Sequence, residues 1–252
     1  MYILASDYDG TLTHDGIVSE EDRLAIEKWQ MAGNLFGINS GRGYSSICKE
    51  MIRNNLVCDF HICNNGSIIY DGDSEPVDQT AAGGKILQSL IPFIIESGGF
   101  DVSIYRVHES YRVIIGNEER RNFHENWITA NDLKIIPYFN QVDTRFIRDN
   151  QAGELTGQVN RQFGKYVTAL QNGVNVNIVP AGVDKATGLL HYMALKNVPK
   201  NHVLAIGDDY NDLNMILEFN GYTVTSGRPE VIAHAKKAYN SIAGLIKEYL
   251  PG

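Results

Sequence analysis

The chain has 252 residues, 43% of them hydrophobic, enough for one large domain or two modest ones with a real core. Its formal net charge of −8 and pI near 5.3 argue against nucleic acid as the main partner. No apolar run is long enough to span a membrane, and Met1 leads straight into a strand pattern rather than a basic and then apolar export signal, so a cytoplasmic location without a membrane partner is expected.

The first element is a short apolar strand over residues 3–5, followed by Asp7, Asp9 and Gly10. Alternate residues of a strand share a side, so the two carboxylates would lie roughly 6–7 Å apart if strand geometry persisted past the turn. Carboxylates held that close raise each other's pKa unless a cation neutralises them, and hard oxygen ligands suit magnesium better than zinc or copper. Taken alone, the same residues also read as a turn preceded by a strand-end cap. Ser19-Glu20-Glu21-Asp22 reads as a capped helix start, with Leu24, Ala25, Trp29 and Ala32 at helical spacing and Gly33 at the stop. A strand over 34–38 ends in Asn39-Ser40-Gly41-Arg42-Gly43, and a helix carrying Ile47, Met51 and Ile52 follows. The order βαβα favours a parallel sheet. A third strand over 60–63 runs into Asn64-Asn65-Gly66, with 68–70 as the return arm of a hairpin. Cys48, Cys58 and Cys63 are odd in number and form no CxxC pair, which reads as buried thiols.

Composition changes at Ala81-Ala82-Gly83-Gly84, a boundary followed by a helix over 85–96. Alternating strands over 102–106 and 111–115, a helix over 118–130, strand-like pieces at 133–136 and 144–147, and a strand over 174–179 predict an α+β module. Within it Arg106, His108, Arg112, Arg145 and Arg148 could recognise an anionic or hydroxylated substrate, but ordinary surface exposure is the simpler reading of each. The parallel pattern resumes with a helix over 185–196, with Leu189, Leu190, Met193 and Ala194 on its apolar side, and a strand over 203–206. That strand ends in Gly207-Asp208-Asp209-Tyr210-Asn211-Asp212. Strand-end loops of an open α/β sheet share one crevice, so Asp208 can approach Asp7 across two hundred residues of sequence.

Four landmarks in this order, Asp7-Tyr8-Asp9-Gly10-Thr11, Ser40, Lys185 and residues 207–212, resemble the haloacid dehalogenase superfamily. The branch most similar is that of Cof-type sugar phosphatases and sucrose-phosphate phosphatase, which carries a type II cap between the serine and lysine motifs. The resemblance implies an α/β, Rossmann-like parallel-sheet core over 1–82 and 182–252, with an inserted α+β cap domain over 83–181. It implies a magnesium-dependent phosphatase acting on a small phosphorylated metabolite such as a sugar phosphate, through an aspartyl phosphate. By the same resemblance Asp7 is the nucleophile and Asp9 the general acid and base. Asp7, Asp208 and the Asp9 backbone carbonyl hold the metal, with Asp212 supporting them. Thr11, Ser40, Gly41, Lys185 and Asn211 serve the phosphate, and Asn65 and Gly66 approach the substrate. A phosphomutase of the phosphomannomutase type and a non-catalytic metabolite-binding regulator are the alternatives, and the oligomeric state stays open. Two departures stand out: Lys185 is followed by Ala186-Thr187-Gly188 rather than by glycine, and residues 223–229 lack the usual alanine- and asparagine-rich loop.

Overall fold

The computed structural model describes residues 1–72, 75–116 and 126–250. Strand β1 (Ile3–Ser6) is followed by α1 (Glu20–Met31), β2 (Leu35–Asn39), α2 (Tyr44–Arg53), β3 (Phe60–Cys63), β4 (Ile68–Tyr70) and β5 (Pro76–Gln79). Next come β6 (Ala82–Gly83), α3 (Leu87–Glu96), β7 (Phe100–Tyr105), β8 (Ser110–Val113), β9 (Asn126–Ile128), β10 (Tyr138–Phe139), β11 (Gln141–Arg145), α4 (Asp149–Phe163), β12 (Val167–Asn172) and β13 (Asn175–Pro180). The chain ends with α5 (Lys185–Leu195), β14 (Val203–Gly207), α6 (Leu213–Phe219), β15 (Tyr222–Val224), α7 (Pro229–His234), β16 (Ala238–Tyr239) and α8 (Ile242–Tyr249). Two units result: Met1–Asp78 with Asp184–Gly252, and Gln79–Val183. None of the described helices is long and apolar enough to cross a membrane.

The first unit is built on a sheet of order β16-β15-β14-β1-β2-β3-β4-β5, parallel from β16 through β3. Its central strands are apolar without alternation and wholly buried, as strands covered on both faces must be. Ser6 stands beside Ile206 on one side and Ile38 on the other. Asp7, Ser40 and Asp208 therefore leave the sheet at the same edge. The strand ends at Ser6, before either aspartate, so the alternation expected to place Asp7 and Asp9 on one side does not extend to them.

Helix α1 starts as its sequence suggests, with the Asp22 N–H donating to Ser19 Oγ at 3.0 Å. Its inward face is Asp22, Ile26 and Trp29, however, while Leu24 is exposed. The Asp22 carboxylate accepts the Ala243 N–H at 2.7 Å, and this buried contact fixes the helix rotation that apolar spacing alone misjudged. On α2 only Ile47 is buried, and Ile52 lies in the open. Cys58 and Cys63 are buried thiols, and Cys48 is half-buried.

β3 and β4 form the hairpin, and Asn64, Asn65 and Gly66 connecting them take φ of 52°, 51° and 101°. A Cβ on Gly66 would lie 2.1 Å from the Asp184 carbonyl oxygen, and one on Gly188 would lie 2.6 Å from Gly66 Cα. The two glycines let the first turn of α5 lie directly against the hairpin turn. The glycine missing immediately after Lys185 is thus present one turn later, at the contact that needs it.

The second unit has a sheet of order β12-β13-β11-β7-β8-β9. One face carries Val102, Ile104, Val142, Val176 and Ile178 into a core with Leu90 and Ile94 of α3 and Leu155 and Val159 of α4. The expected helix over 118–130 falls partly on residues 117–125, outside the described residues, and its end is instead the strand β9. Residues 133–136 are not a strand: a 3-10 turn over Ala130–Ile135 is capped by Thr129 and Asp132. Helix α4 and strand β12 escaped the sequence reading, because α4 carries Gly153 and Gly157 and buries only Ala152, Leu155 and Val159.

The opposite face of this sheet is polar, and burial pushes the Asp143 carboxyl up to about 7 despite hydrogen bonds from Asn177, Gln141 and Tyr105. In the unfolded chain an aspartate titrates near 4. The folded state therefore holds the proton more tightly: the Asp143 contribution to stability is full below the unfolded pKa and is lost as pH rises through about 7. Asp143→Asn should gain in Tm relative to the native chain at pH 8 compared with pH 4.5, and an equal difference at the two pH values would contradict the buried-carboxyl account.

Candidate active site

Three carboxylates and one ammonium meet at the strand-end edge of the first unit. Asp7 follows β1, and its N–H donates to the Ile206 carbonyl at 2.9 Å, which locks it beside β14. Lys185 opens α5, where Asp184 caps the helix through a reciprocal pair with Thr187, and its side chain is 1% exposed. Its Nζ donates to Asp7 Oδ1 at 2.6 Å and to Asp212 Oδ1 at 2.7 Å. The other Asp212 oxygen accepts the N–H groups of Asp208 and Asp209, each at 3.1 Å, so Asp212 ties the loop after β14 to the lysine. Thr11 Oγ1 donates to Asp208 Oδ1 at 2.7 Å. Gly10, at φ +88°, is indispensable here because a Cβ would fall 2.4 Å from Asp208 Oδ2; one on Gly207 would fall 2.3 Å from Asp212 Cγ.

The electrostatics are unbalanced. Burial works against the charged lysine, but Asp212 and Asp7 outweigh it and hold the Lys185 ammonium above its ordinary value. Burial pushes Asp7 well above the usual carboxylate range, Lys185 opposes this, and Asp212 and Asp208 add to it. Asp208 is also raised, first by burial, with the Thr11 hydroxyl pulling the other way. One ammonium cannot neutralise three carboxylates, and the surplus negative charge falls on Asp7 and Asp208. One ligand atom each from Asp7, Asp208 and Asp212 lies within 4.8 Å of the others, all oxygen and mostly buried. With two Asp212 oxygens already committed to Lys185 and to backbone N–H groups, Asp7 and Asp208 are the pair whose chemistry fits a hard divalent cation.

Asp9 is not in that cluster. Its carboxylate, 46% exposed, accepts two hydrogen bonds of 2.6 Å from Nε and Nη2 of Arg42, whose guanidinium stands 5.5 Å from the centre of the Tyr8 ring. Arg42 is the charged neighbour that the sequence reading passed over, although its place two residues after Ser40 in a strand-end loop was a usable signal.

Ser40 is buried, donates its N–H to the Ile62 carbonyl at 2.8 Å, and accepts the Arg42 N–H on Oγ at 3.2 Å. The hairpin turn is tied to the same loop, since the Asn64 and Asn65 N–H groups donate to the Arg42 and Ser40 carbonyls, each at 3.0 Å. Gly41 lies within this doubly anchored segment, ahead of α2. Asn211 Nδ2 reaches Asn65 Oδ1 at 3.3 Å, so these two expected site residues contact each other, and Asn64 Nδ2 is a buried donor without a partner among the described residues. Asp209 caps the short turn after it and accepts Arg228 Nε at 2.5 Å, a structural use.

A family model described as haloacid dehalogenase-like hydrolase matches residues 4–243. The 5-amino-6-(5-phospho-D-ribitylamino)uracil phosphatase YitU of Bacillus subtilis is 26% identical over 98% of this chain and 97% of its own length. A HAD/COF-like hydrolase structure from Plasmodium vivax superposes with a TM-score of 0.83 at 20% identity, covering 99% of this chain and 95% of that one. The subclass IIB sugar phosphatase BT4131 does so with a TM-score of 0.79 at 16% identity, covering 99% of both.

Removing the central cation leaves two buried carboxylates facing each other. Lys185→Met should lower unfolding stability by about 3–5 kcal/mol in a urea titration, and adding Asp7→Asn should recover part of that loss. A single mutant as stable as the native chain would show that Lys185 does not hold this edge together.

Proposed function

The chain belongs to the haloacid dehalogenase-like hydrolases, and from that membership we propose a phosphomonoesterase that hydrolyses a small phosphorylated metabolite through an aspartyl phosphate on Asp7. The observation that carries this reading is the buried Lys185 ammonium, 2.6 Å from Asp7 at the sheet edge where Asp208 converges. Asp7 and Asp208 would hold a magnesium ion, with the Asp9 backbone carbonyl; when bound, the ion offsets the surplus carboxylate charge and withdraws electrons from the phosphoryl oxygens.

Lys185 fixes the Asp7 carboxylate through one oxygen and leaves the other to attack phosphorus in line with the leaving alcohol. The same ammonium, with the Ser40 hydroxyl, faces charge that spreads over the phosphoryl oxygens. Asp9 serves as the acid that protonates the leaving oxygen and then as the base that takes a proton from the water attacking the aspartyl phosphate. That role needs its carboxyl to leave Arg42, and an incoming phosphate offers the guanidinium a bidentate partner in exchange. We read the second unit, residues 79–183, as the cap that sets substrate choice. The names of YitU and BT4131, which specify a phosphoribityl compound and sugar phosphates, support a hydroxylated phosphomonoester.

Inorganic phosphate release from a panel of phosphorylated sugars, alditols, nucleotides and small acids, with magnesium or with chelator, tests the reading. Release should require magnesium and vanish in Asp7→Asn; relocation of phosphate without release would replace the phosphatase with a mutase. Asp9→Asn should lower kcat/KM, which reports the steps up to release of the alcohol, by about 10²-fold or more for an alkyl phosphate and much less for p-nitrophenyl phosphate, whose leaving group needs little protonation. Equal losses of kcat/KM on both esters would remove Asp9 from the acid role.

A further inference from the structure

A crevice of about 430 Å³ opens at the edge of the first unit's sheet opposite Asp7, where β14 and β15 begin. Val203 and Tyr222, the first residues of those strands, line it, as do Phe219 at the end of α6 and Tyr249 at the end of α8. From Val203 the chain runs along β14 to reach Asp208, about 16 Å further on at strand rise. An occupant of the crevice is therefore no part of the acidic cluster.

On a chain of net charge −8 this crevice is locally basic. Lys200 and Lys236 bring two ammoniums to it and Glu218 a single carboxylate, which Lys200 Nζ binds at 2.5 Å. Lys236 enters no ion pair among the described residues; Glu248, the carboxylate that feels its charge, bonds Lys237 and Tyr239 instead. Its Nζ donates to the Tyr222 hydroxyl at 3.1 Å, and that hydroxyl lies 2.5 Å from the Tyr249 hydroxyl, so the ammonium is anchored to a pair of phenols. Two of its three N–H donors remain for a ligand. Each ammonium also stands against a ring: Lys200 Nζ lies 5.6 Å from the centre of Phe219 and Lys236 Nζ 5.3 Å from that of Tyr222.

We propose that this crevice is a binding site for a small aromatic monocarboxylate, separate from the site at Asp7. The volume falls in the range of small-molecule pockets. Two ammoniums against one carboxylate leave a surplus of a single positive charge, which one carboxylate satisfies and a phosphomonoester dianion exceeds. The free N–H donors of Lys236 offer that carboxylate charge-assisted hydrogen bonds, and the rings of Phe219, Tyr222 and Tyr249 offer its aromatic body apolar contact. A cation is disfavoured by both lysines, and an uncharged ligand leaves Lys236 without a counter-charge. The assignment does not depend on the reaction proposed for Asp7.

Calorimetric titration of the full chain with 2-naphthoate, in the absence of magnesium, tests the site. The probe should bind saturably to the native chain and equally well to Asp7→Asn. It should bind about tenfold more weakly to Lys236→Met, an exposed position where the substitution leaves folding intact, and with native affinity to Lys236→Arg, which keeps the charge. 2-Naphthamide, without the charge, and cyclohexanecarboxylate, without the aromatic ring, should both bind more weakly than 2-naphthoate. No binding to the native chain, or unchanged affinity in Lys236→Met, overturns the site, and loss of binding in Asp7→Asn overturns it by moving the ligand to the Asp7 edge. Equal binding of 2-naphthamide overturns the anionic class, and equal binding of cyclohexanecarboxylate the aromatic one. No outcome is read through phosphate release, so failure of the phosphatase reading leaves each of them intact.

Discussion

A single buried ammonium holds the strand-end edge of the first unit together. Lys185 bonds Asp7 from the start of the chain and Asp212 from its last third, and Asp212 in turn holds the N–H groups of Asp208 and Asp209. Three chain segments far apart in sequence are thereby joined through one Nζ. Such a centre is poor as a source of stability, since desolvating these charges costs several kcal/mol per ion. It makes sense in the proposed chemistry, where the lysine would orient the Asp7 nucleophile and the surplus negative charge would suit a divalent cation.

Close packing of glycines makes that centre possible. Gly10 and Gly207 clear space for Asp208 and Asp212, and Gly66 with Gly188 lets α5 approach the hairpin turn so that Lys185 projects from a fixed helix end. The turn itself adopts left-handed backbone at two asparagines, a conformation costing roughly 1 kcal/mol or more for each non-glycine residue. Its N–H groups repay part of this by anchoring the Ser40 and Arg42 carbonyls. A helix start, a hairpin turn and the loop after β2 are thus fitted to one another, and none can move alone.

Much of this was legible in the sequence because parallel strands are short apolar runs with chemistry at their ends. Asp7, Ser40 and Asp208 could be assigned to one edge from strand order alone, and the core elements around them follow the expected α/β sequence. The second unit was harder to read. Its helix α4 is rich in polar residues and glycine, its strand β12 alternates only weakly, and the piece at 133–136 is apolar yet turns under a Thr129–Asp132 cap. In α1 the periodicity gave the helix and its buried Trp29 but turned the rest of the face toward Leu24, whereas the inward positions are Ile26 and Asp22, a polar residue whose partner lies 221 positions away. Periodicity counts apolar residues, and it cannot weigh a buried hydrogen bond to a distant backbone.

Asp7 and Asp9 are two residues apart and chemically identical, so any difference in role must come from surroundings. The structure separates them fully: Asp7 is interior, shares an ammonium with Asp212 and faces Asp208, whereas Asp9 is nearly half exposed and engaged by a guanidinium at the mouth of the loop. In the proposed reaction the nucleophile must be fixed and ionised at the instant of attack, which interior contacts with Lys185 would favour. An acid that later serves as base must exchange its proton with a leaving group and then with water, which requires mobility and access. β1 has already ended at Ser6, and the left-handed turn that Gly10 permits directly after Asp9 lies where the second carboxylate meets Arg42 rather than Lys185.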